Sequence, residues 1–399
     1  MNEISKICTE CTACMHSCPK KAISFTTDVE GFSYPVIDQK VCIHCGLCQK
    51  VCPVNNFDSL STLPLDVFAA QLKERDILLK SSSGGMFYLI SNYVINNNGV
   101  VYGATLNKNM KTYHIGVDSM DKLLLLMGSK YVHSDLGDCY SQIKSLLKQN
   151  RLVYFNGTPC QVAGLKSYLR KDYCNLITSD IICHGTPSQK IFDLFIHHLC
   201  EETNAELVRF SFRDKMVYGW RSMSSTASIK KLKTNKIKEL AYNKNMRAYY
   251  NAFISGDITR YDCFKCPFAQ PRRVGDFTIG DYWDIEKLYP DFPNIQDGVS
   301  VITINTAKGQ DLWNNIKGKC TIQKSSLSDL KKTCNRCLFH PTPMPKTRNG
   351  SIQKAFDDFI SFRNNYHTKK EESDFKKIQL KKIMRKNWLF SKLLDVLGK

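Results

Sequence analysis

The chain has 399 residues, of which 43% are hydrophobic and 11% aromatic, so we expect two or three domains with a sizeable buried core. No run of about 18 consecutive apolar residues occurs, so we expect no membrane-spanning helix. The formal net charge of +19 favours an acidic partner, an anionic ligand or an anionic lipid surface. We expect no nucleic-acid partner, because no nucleic-acid-binding motif accompanies the charge, and a basic surface that serves only solubility is the alternative.

The chain contains 18 cysteines, enough for a secreted disulfide scaffold. It opens without an apolar signal segment, however, and its densest cysteines have the spacing of metal clusters rather than of disulfides. We therefore expect a reducing, cytoplasmic location, in which such thiols stay unpaired.

Residues 1–56 contain two copies of one cysteine motif. Each copy reads C-x2-C-x2-C-x3-C-P, the spacing that holds four-iron four-sulfur clusters in bacterial ferredoxins, and the fourth cysteine of each copy ligates the other cluster. The predicted ligand sets are Cys8, Cys11, Cys14 and Cys52 for the first cluster and Cys42, Cys45, Cys48 and Cys18 for the second. A zinc site or a disulfide pair is the alternative for one such run, but two tandem copies favour clusters.

Residues 55–66, rich in serine, threonine and proline, predict a linker. From Val67 onward strands alternate with helices, which predicts a mixed α/β domain with helices covering a sheet. The predicted strands are residues 67–72, 100–106, 152–155, 176–182, 207–212, 277–279 and 299–304, and the predicted helices are 86–97, 140–148, 161–169, 188–202 and 310–316. We expect this part to divide into residues 67–180 and 181–345.

Three loops of the α/β part are candidates for binding an anion. Each combines glycine, which allows close backbone approach, with a hydroxyl or lysine side chain near a helix start or a strand end. Their residues are Ser83, Gly84, Gly85, Gly128, Ser129, Lys130, Tyr131, Gly157 and Thr158. Any one of them could be an ordinary capped helix, but together they predict a nucleotide-type cofactor.

Four downstream cysteines are candidates for a third cluster. Cys160 and Cys183 follow consecutive predicted strands, whose ends meet at one edge of a parallel sheet. A C-x2-C pair could complete the set, and two such pairs compete for that role, Cys263 with Cys266 and Cys334 with Cys337. A buried structural cysteine or a redox-active dithiol is the alternative at each position.

Residues 363–399 form a basic stretch in which lysines and arginines are interleaved with apolar residues, including Trp388 and Phe390. The pattern predicts an amphipathic helix. Such a helix packs on its own domain, docks a partner or associates peripherally with an anionic membrane surface.

Several of these segments together resemble the β subunits of coenzyme-F420-reducing hydrogenases and formate dehydrogenases. The resemblance covers about residues 67 to 320, and a ferredoxin unit is a common fusion in that family. The motifs that carry it are Ser83-Gly-Gly85, Gly128-Ser-Lys-Tyr131, Thr158-Pro-Cys-Gln161, Cys183, Cys263-x2-Cys266, Asp276-Phe-Thr-Ile-Gly280 and Gly298-Val-Ser-Val-Ile302.

The resemblance implies a bound FAD with a 4Fe-4S cluster beside it. The ligands of that cluster would be Cys160, Cys183, Cys263 and Cys266, and the flavin would lie near the three loops described above. Cys334 and Cys337 lie outside the shared motifs. A longer and more basic segment, residues 212–220, departs from the hydrogenase β subunits and argues against the deazaflavin itself as the acceptor.

Clusters carry single electrons, whereas a flavin exchanges both single electrons and pairs. The sequence therefore predicts an oxidoreductase that passes electrons from a low-potential donor protein such as ferredoxin to an organic acceptor. An electron-transfer adaptor that feeds a separate catalytic protein is the alternative, and a nucleic-acid-associated iron–sulfur protein is a third interpretation. No catalytic residue is identified, although His184, Tyr131, Lys130 and Arg213 are candidate acids and bases. The acceptor, the direction of flow and a homo-oligomeric state are left open.

Overall fold

The computed structural model describes residues 4–5, 7–222 and 225–367. Most of the predicted basic helix, residues 368–399, lies outside these described residues. Within them, no helix is both long and apolar enough to cross a membrane.

The N-terminal unit is a small two-fold repeat. Its elements are α1 (Ala13–Ser17), β1 (Ile23–Thr27), β2 (Ser33–Ile37) and α2 (Leu47–Lys50). The two strands pair antiparallel, and each helix begins inside one of the two cysteine motifs. Phe32, 1% exposed, anchors the turn between the strands in the interior of the larger domain.

The prediction of a plain linker over residues 55–66 is wrong. The segment forms α3 (Phe57–Leu60), and the Phe57 ring lies edge-on to Phe268 with their centroids 5.5 Å apart. Thr62 then pairs with Arg273 through two backbone hydrogen bonds of 2.7 and 3.0 Å. Burial of one aromatic side chain outweighed the polar composition on which the linker prediction was based.

The rest of the chain is built on an eight-stranded mixed sheet in the order β13-β3-β12-β11-β7-β6-β4-β5. Its strands are β3 (Asp66–Leu72), β4 (Val100–Leu106), β5 (Thr112–Val117), β6 (Val153–Gly157), β7 (Leu176–Ile181), β11 (Phe277–Asp281), β12 (Ser300–Ile304) and β13 (Cys320–Ser325). The four central strands β4, β6, β7 and β11 run parallel. The predicted α/β class is confirmed, and strands from both residues 67–180 and residues 181–345 share this one sheet.

A smaller antiparallel sheet lies beside it, formed by β8 (Ala205–Ser211), β9 (Thr226–Lys231) and β10 (Ile237–Leu240). The remaining helices are α4 (Arg75–Lys80), α5 (Met86–Asn96), α6 (Met120–Leu126), α7 (Cys139–Lys148), α8 (Pro159–Leu169), α9 (Gln189–Thr203), α10 (Lys215–Tyr218), α11 (Lys244–Ser255), α12 (Ile285–Leu288), α13 (Ala307–Ile316), α14 (Leu327–Lys331), α15 (Ser351–Asp357) and α16 (Phe359–Asn365).

Helix α8 shows how local sequence places a functional side chain. Thr158 and Gln161 form a reciprocal capping box, and Pro159 occupies the first turn, where its missing N–H is not needed. The helix therefore begins immediately after β6, and Cys160 is held at the carboxyl end of that strand.

Two buried arginines attach the N-terminal unit to the larger domain. Arg260 donates to the Cys8 carbonyl (2.9 Å), to the Glu10 carboxylate (2.8 Å) and to the Ser33 carbonyl (3.0 Å). Arg348 forms a bidentate pair with Glu30 at 2.9 and 2.6 Å. Planar guanidinium groups satisfy several acceptors at once, which favours one fixed orientation of the two units.

Candidate functional site

The two cysteine motifs of the N-terminal unit have the same backbone geometry. Glu10 and Thr12 of the first copy have positive φ angles of 56° and 58°, and the corresponding His44 and Gly46 of the second have 52° and 69°. Alternation of right- and left-handed residues turns successive N–H groups toward one concave side and so binds anions. A four-iron cluster with four thiolate ligands is an anion, so both loops fit the group that their spacing predicts.

The structure brings the first predicted ligand set together. Cys14 lies within electrostatic range of Cys8 and Cys52, and Cys11 within range of Cys14 and Cys52. Burial raises the pKa of Cys8 to about 11 and that of Cys14 to about 12. Thiols so desolvated become thiolates only next to strong positive charge, which coordinated iron supplies.

The second set lies nearer the surface. Cys18, Cys42, Cys45 and Cys48 line one cavity of about 150 Å³. Cys45 is exposed, whereas Cys11, Cys14 and Cys52 of the first set are buried. Backbone N–H groups approach the sulfur atoms of Cys18 (3.3 Å, from Ala22) and Cys42 (3.4 Å, from His44).

Four further cysteines meet at the carboxyl ends of β6 and β7. Cys160, Cys183, Cys263 and Cys266 line one compartment of about 40 Å³, and each is within electrostatic range of at least one of the others. Four cysteine thiols are the donor set of a 4Fe-4S cluster. Because the free volume of the compartment is small, the assignment of a cluster rests on these four thiols and not on the size of the cavity. In the described residues no three His, Cys, Asp or Glu side chains are grouped as ligands of a single metal ion.

A buried ion pair holds the Cys263–Cys266 segment against the sheet. Asp180, at the end of β7, accepts from Arg273 at 3.1 Å and from the Gly275 N–H at 2.7 Å. Both charged side chains are at most 1% exposed. Because Cys183 lies three residues beyond Asp180, this pair brings the two cysteine-bearing segments to the same place.

The first cysteine set lies directly beside this compartment. A Cβ added to Gly164 of helix α8 would come within 2.9 Å of the Cys11 Cβ atom and 2.6 Å of the Tyr140 hydroxyl. Cys11 and Cys160 are also within electrostatic range of each other. The absence of a side chain at Gly164 therefore lets the first motif lie against the helix that carries Cys160.

A larger cavity of about 380 Å³ adjoins the compartment and has the size of a small-molecule site. Eight of the nine predicted cofactor residues line it, namely Ser83, Gly85, Gly128, Ser129, Lys130, Tyr131, Gly157 and Thr158. Gly84 is not among the lining residues. A Cβ there would meet the Ala70 carbonyl at 2.2 Å, so Gly84 instead permits close packing of the loop on β3.

Lys130 also has a structural role. Its Nζ donates to the carbonyls of Leu126 (2.9 Å) and Met127 (2.8 Å). Leu126 is the last residue of helix α6, and Met127 is its C-cap. Desolvation lowers the pKa of Lys130 to about 7. The side chain thus stabilises a helix C-terminus and, at the same time, faces the cavity.

His114 lines the cavity but was not predicted from the sequence. His114 on β5 donates from Nε2 to the Asn156 carbonyl (3.1 Å), and its Nδ1 accepts from the Ser134 hydroxyl (2.9 Å). Burial lowers the pKa of His114 to about 4, so the ring is neutral at pH 7. No motif marks it, because only the pairing of β5 with β4 brings it to this wall.

The predicted acid–base candidate Arg213 belongs to a network at the cavity edge. It pairs with Asp281 at 2.6 Å, and the same carboxylate accepts from the Trp220 indole at 2.6 Å. Trp220 stacks on Trp283, which lines the cavity. Nearby, Lys215 donates to the Ser83 carbonyl at 2.7 Å, and its pKa falls to about 7 through desolvation.

Cys334 and Cys337 also line this cavity, together with His184. The Cys337 sulfur lies 3.7 Å from His184 Nδ1 and 3.6 Å from the Thr342 hydroxyl. Cys337 additionally borders the compartment of the four cysteines. Sequence spacing alone could not choose between the two C-x2-C pairs; the structure brings Cys263 and Cys266 to Cys160 and Cys183, and the other pair to the cavity wall.

The N-terminal unit and the sheet domain each match a known family model. Residues 7–56 match the model of a 4Fe-4S dicluster domain. Residues 150–329, just under half of the chain, match the model described as the C terminus of the coenzyme F420 hydrogenase/dehydrogenase beta subunit.

Two curated relatives each match a small part of the chain. A ferredoxin-like protein in the nif region of Rhizobium leguminosarum bv. trifolii is 41% identical over 59 residues, which cover 13% of this chain and 84% of that protein. The ferredoxin-type protein NapF of Haemophilus influenzae is 39% identical over 46 residues, which cover 12% of this chain and 26% of NapF. The chain thus spans about a quarter of the length of NapF.

Among solved structures, a chain of the F420-reducing nickel–iron hydrogenase complex from Methanosarcina barkeri aligns at 13% identity with a TM-score of 0.44. The alignment covers 77% of this chain and 96% of that chain. A likeness that distant does not establish a shared activity.

Proposed function

We propose that this chain, of which residues 150–329 match the C-terminal model of the coenzyme F420 hydrogenase/dehydrogenase beta subunit and residues 7–56 match a 4Fe-4S dicluster domain, is an iron–sulfur flavoprotein oxidoreductase. It transfers electrons between a donor protein of the ferredoxin type and an organic acceptor. The eight N-terminal cysteines would hold two 4Fe-4S clusters, and Cys160, Cys183, Cys263 and Cys266 would hold a third. The cavity would hold FAD, which when bound accepts electrons singly and delivers them in pairs.

The observation that carries the proposal is the position of Cys183. It lines both the four-cysteine compartment and the large cavity, so one residue forms part of the wall between them. Cys11 of the first cysteine set, in turn, lies within electrostatic range of Cys160. Cysteine-lined sites therefore follow one another from the N-terminal unit to the cavity.

The exposed second cysteine set is the proposed contact for the donor protein. Cys45 is exposed, and the exposed Lys20 lines the cavity of the same cysteine set. Residues 18–52 also contain the exposed Lys21, Lys40 and Lys50, against the carboxylates Asp28, Asp38 and Glu30, of which Glu30 is paired with Arg348. This positive surface suits an acidic redox protein and would raise the association rate at low ionic strength.

The cavity residues suit a planar, partly anionic cofactor. Apolar and aromatic side chains such as Phe87, Met127 and Trp283 provide apolar walls, and the Ser81–Ser83 loop offers hydroxyl groups. Behind that loop, Lys215 donates a hydrogen bond to the Ser83 carbonyl and so holds the loop in place. A few polar groups on an otherwise apolar lining are typical of cofactor sites.

Anaerobic purification followed by iron quantitation and a visible spectrum tests the proposal. We expect iron for three clusters per chain together with the absorption bands of one flavin. Iron without flavin, after incubation with excess FAD, would contradict the flavoprotein and favour the adaptor that feeds a separate catalytic protein.

A further inference from the structure

The proposed function leaves one cysteine pair unused. Cys334 and Cys337 have C-x2-C spacing, and the structure brings neither into the four-cysteine compartment as a member of its ligand set, although Cys337 borders it. Both line the cavity proposed for the flavin. Two thiols three residues apart on one cavity wall suit reversible pairing with each other.

The surroundings of Cys337 are polar and specific. His184 donates from Nε2 to the Ile254 carbonyl (3.0 Å), since a carbonyl oxygen can only accept, which leaves Nδ1 as an acceptor. The Thr342 hydroxyl donates to the His184 carbonyl at 2.9 Å, so its hydrogen is already used. The hydrogen available to Nδ1 is then the one on the Cys337 sulfur, 3.7 Å away.

Cys334 lies on the more accessible side of the pair. It is exposed, and its backbone N–H donates to the Asp284 carboxylate at 3.1 Å. The segment between the two cysteines begins a short 3-10 helix, Arg336–Leu338, so the chain turns within the motif. One accessible and one half-buried thiol thus share a turning C-x2-C segment, the spacing of redox-active dithiols, although the hydrogen bond to Asp284 raises the pKa of Cys334 and burial raises that of Cys337.

We propose that Cys334 and Cys337 form a reversible dithiol–disulfide pair that stores two electrons beside the cavity. On oxidation the two S–H bonds break and one S–S bond forms, and two electrons and two protons leave the pair. Their acceptor is an oxidised flavin or another two-electron carrier of that class, and the reverse reaction reduces the disulfide. Coupling to a flavin rests on the proposed function, whereas formation of the disulfide does not.

The test uses the full-length, cluster-loaded protein, equilibrated without air in glutathione buffers of increasing oxidation state. Free thiols are then alkylated, and the peptide that contains residues 334–337 is weighed. Over a defined range of buffers we expect the doubly alkylated peptide of the wild-type protein to be replaced by an unalkylated peptide, whose mass is two hydrogen atoms below that of the free dithiol. Cys334→Ser and Cys337→Ser should abolish that species, and Cys174→Ser, which removes an exposed cysteine elsewhere, should retain it.

A second measurement reports the role in the loaded protein. In anaerobic reductive titrations after incubation with FAD, the Cys334→Ser and Cys337→Ser variants should take up two fewer electrons per chain than wild type or Cys174→Ser. Equal uptake by all four proteins would overturn the storage role. A peptide that stays fully reduced in every buffer would overturn the pair itself, and failure to bind FAD would contradict the proposed function while leaving the thiol measurement valid.

Discussion

Arg260 donates from Nε to the carbonyl oxygen of Cys8 at 2.9 Å, and Arg260 lies only three residues before Cys263. One side chain therefore links the first cysteine motif of the N-terminal unit to the C-x2-C segment of the sheet domain. The guanidinium group is 1% exposed, and it also stacks on the Tyr34 ring at 4.1 Å. Fixed separation of redox centres depends on such rigid links.

Replacing this arginine should loosen the N-terminal unit. Arg260→Ala leaves the Cys8 and Ser33 carbonyls and the Glu10 carboxylate without their donor, so we expect the free energy of unfolding to fall by about 2–4 kcal/mol. Chemical denaturation measures the loss, and limited proteolysis should release the N-terminal unit sooner. Arg209→Ala, at an exposed surface pair with Glu239, is the control and should change stability by less than about 1 kcal/mol.

Adding a methyl group at Gly164 should displace the first motif. In Gly164→Ala the new Cβ would lie 2.9 Å from the Cys11 Cβ, which is too short for a contact between two non-bonded carbon atoms. We expect partial loss of iron and a change in the paramagnetic signal of the first cluster. Gly318→Ala is the control, because no atom lies within 4 Å of its added Cβ. Unchanged iron in the Gly164 variant would mean that the loop yields without cost to cluster binding.

Neutralising Asp180 should destabilise the protein strongly. Asp180→Asn leaves Arg273 buried without its counter-charge, and breaking one partner of a buried pair costs about 3–5 kcal/mol. Urea unfolding at pH 7 measures this cost. Asp193→Asn, which removes a half-exposed carboxylate paired with Lys111, should cost far less. A small effect of the Asp180 variant would indicate that the arginine finds other acceptors among the nearby carbonyls.

Acid should lower the free energy of unfolding of the protein through protonation of His114. The pKa of His114 in the folded state is about 4, below the ordinary value of 6.5. Between these two pH values the unfolded chain therefore binds a proton at His114 and the folded chain does not. The stabilising contribution is complete above pH 6.5 and is lost as the pH falls toward 4, and it amounts to about 3 kcal/mol at most.

Denaturation at pH 7 and pH 5 measures the effect of His114. The groups around the ring are His133 and Lys130, which also lower its pKa, and Asp135, which raises it. His114→Gln should flatten the pH dependence between these values. His197→Gln, at an exposed site on helix α9, should leave the slope unchanged, and an equal slope in the His114 variant would contradict this prediction.

Removing one exposed ligand should cost one cluster only. We expect Cys45→Ser to lose the iron of the second set while the buried first set and the cavity remain intact. Iron quantitation and paramagnetic spectra after dithionite reduction distinguish the two clusters. Cys160→Ser should instead keep both N-terminal clusters. Full iron content in the Cys160 variant would contradict the third ligand set, and Cys174→Ser controls for loss of a thiol.

Motif spacing and strand–helix alternation were sufficient to predict the dicluster unit and the α/β class. The eight N-terminal cysteines are close in the chain, and a tight loop needs only local spacing to present them to a cluster. The nearby strands β6 and β7 were likewise predicted from short apolar runs, and their parallel pairing brings Cys160 and Cys183 to the same edge.

Only the tertiary structure decided which of the other residues share a site. His184 and Cys337 meet across 153 positions, and Arg260 reaches Cys8 across 252. The tertiary structure likewise decided that Gly84 packs against β3 beneath its loop. It also decided that β5 and β13 form the two edges of the sheet. Such contacts arise because burial of apolar surface and satisfaction of buried polar groups are properties of the whole packed chain, which no local pattern encodes.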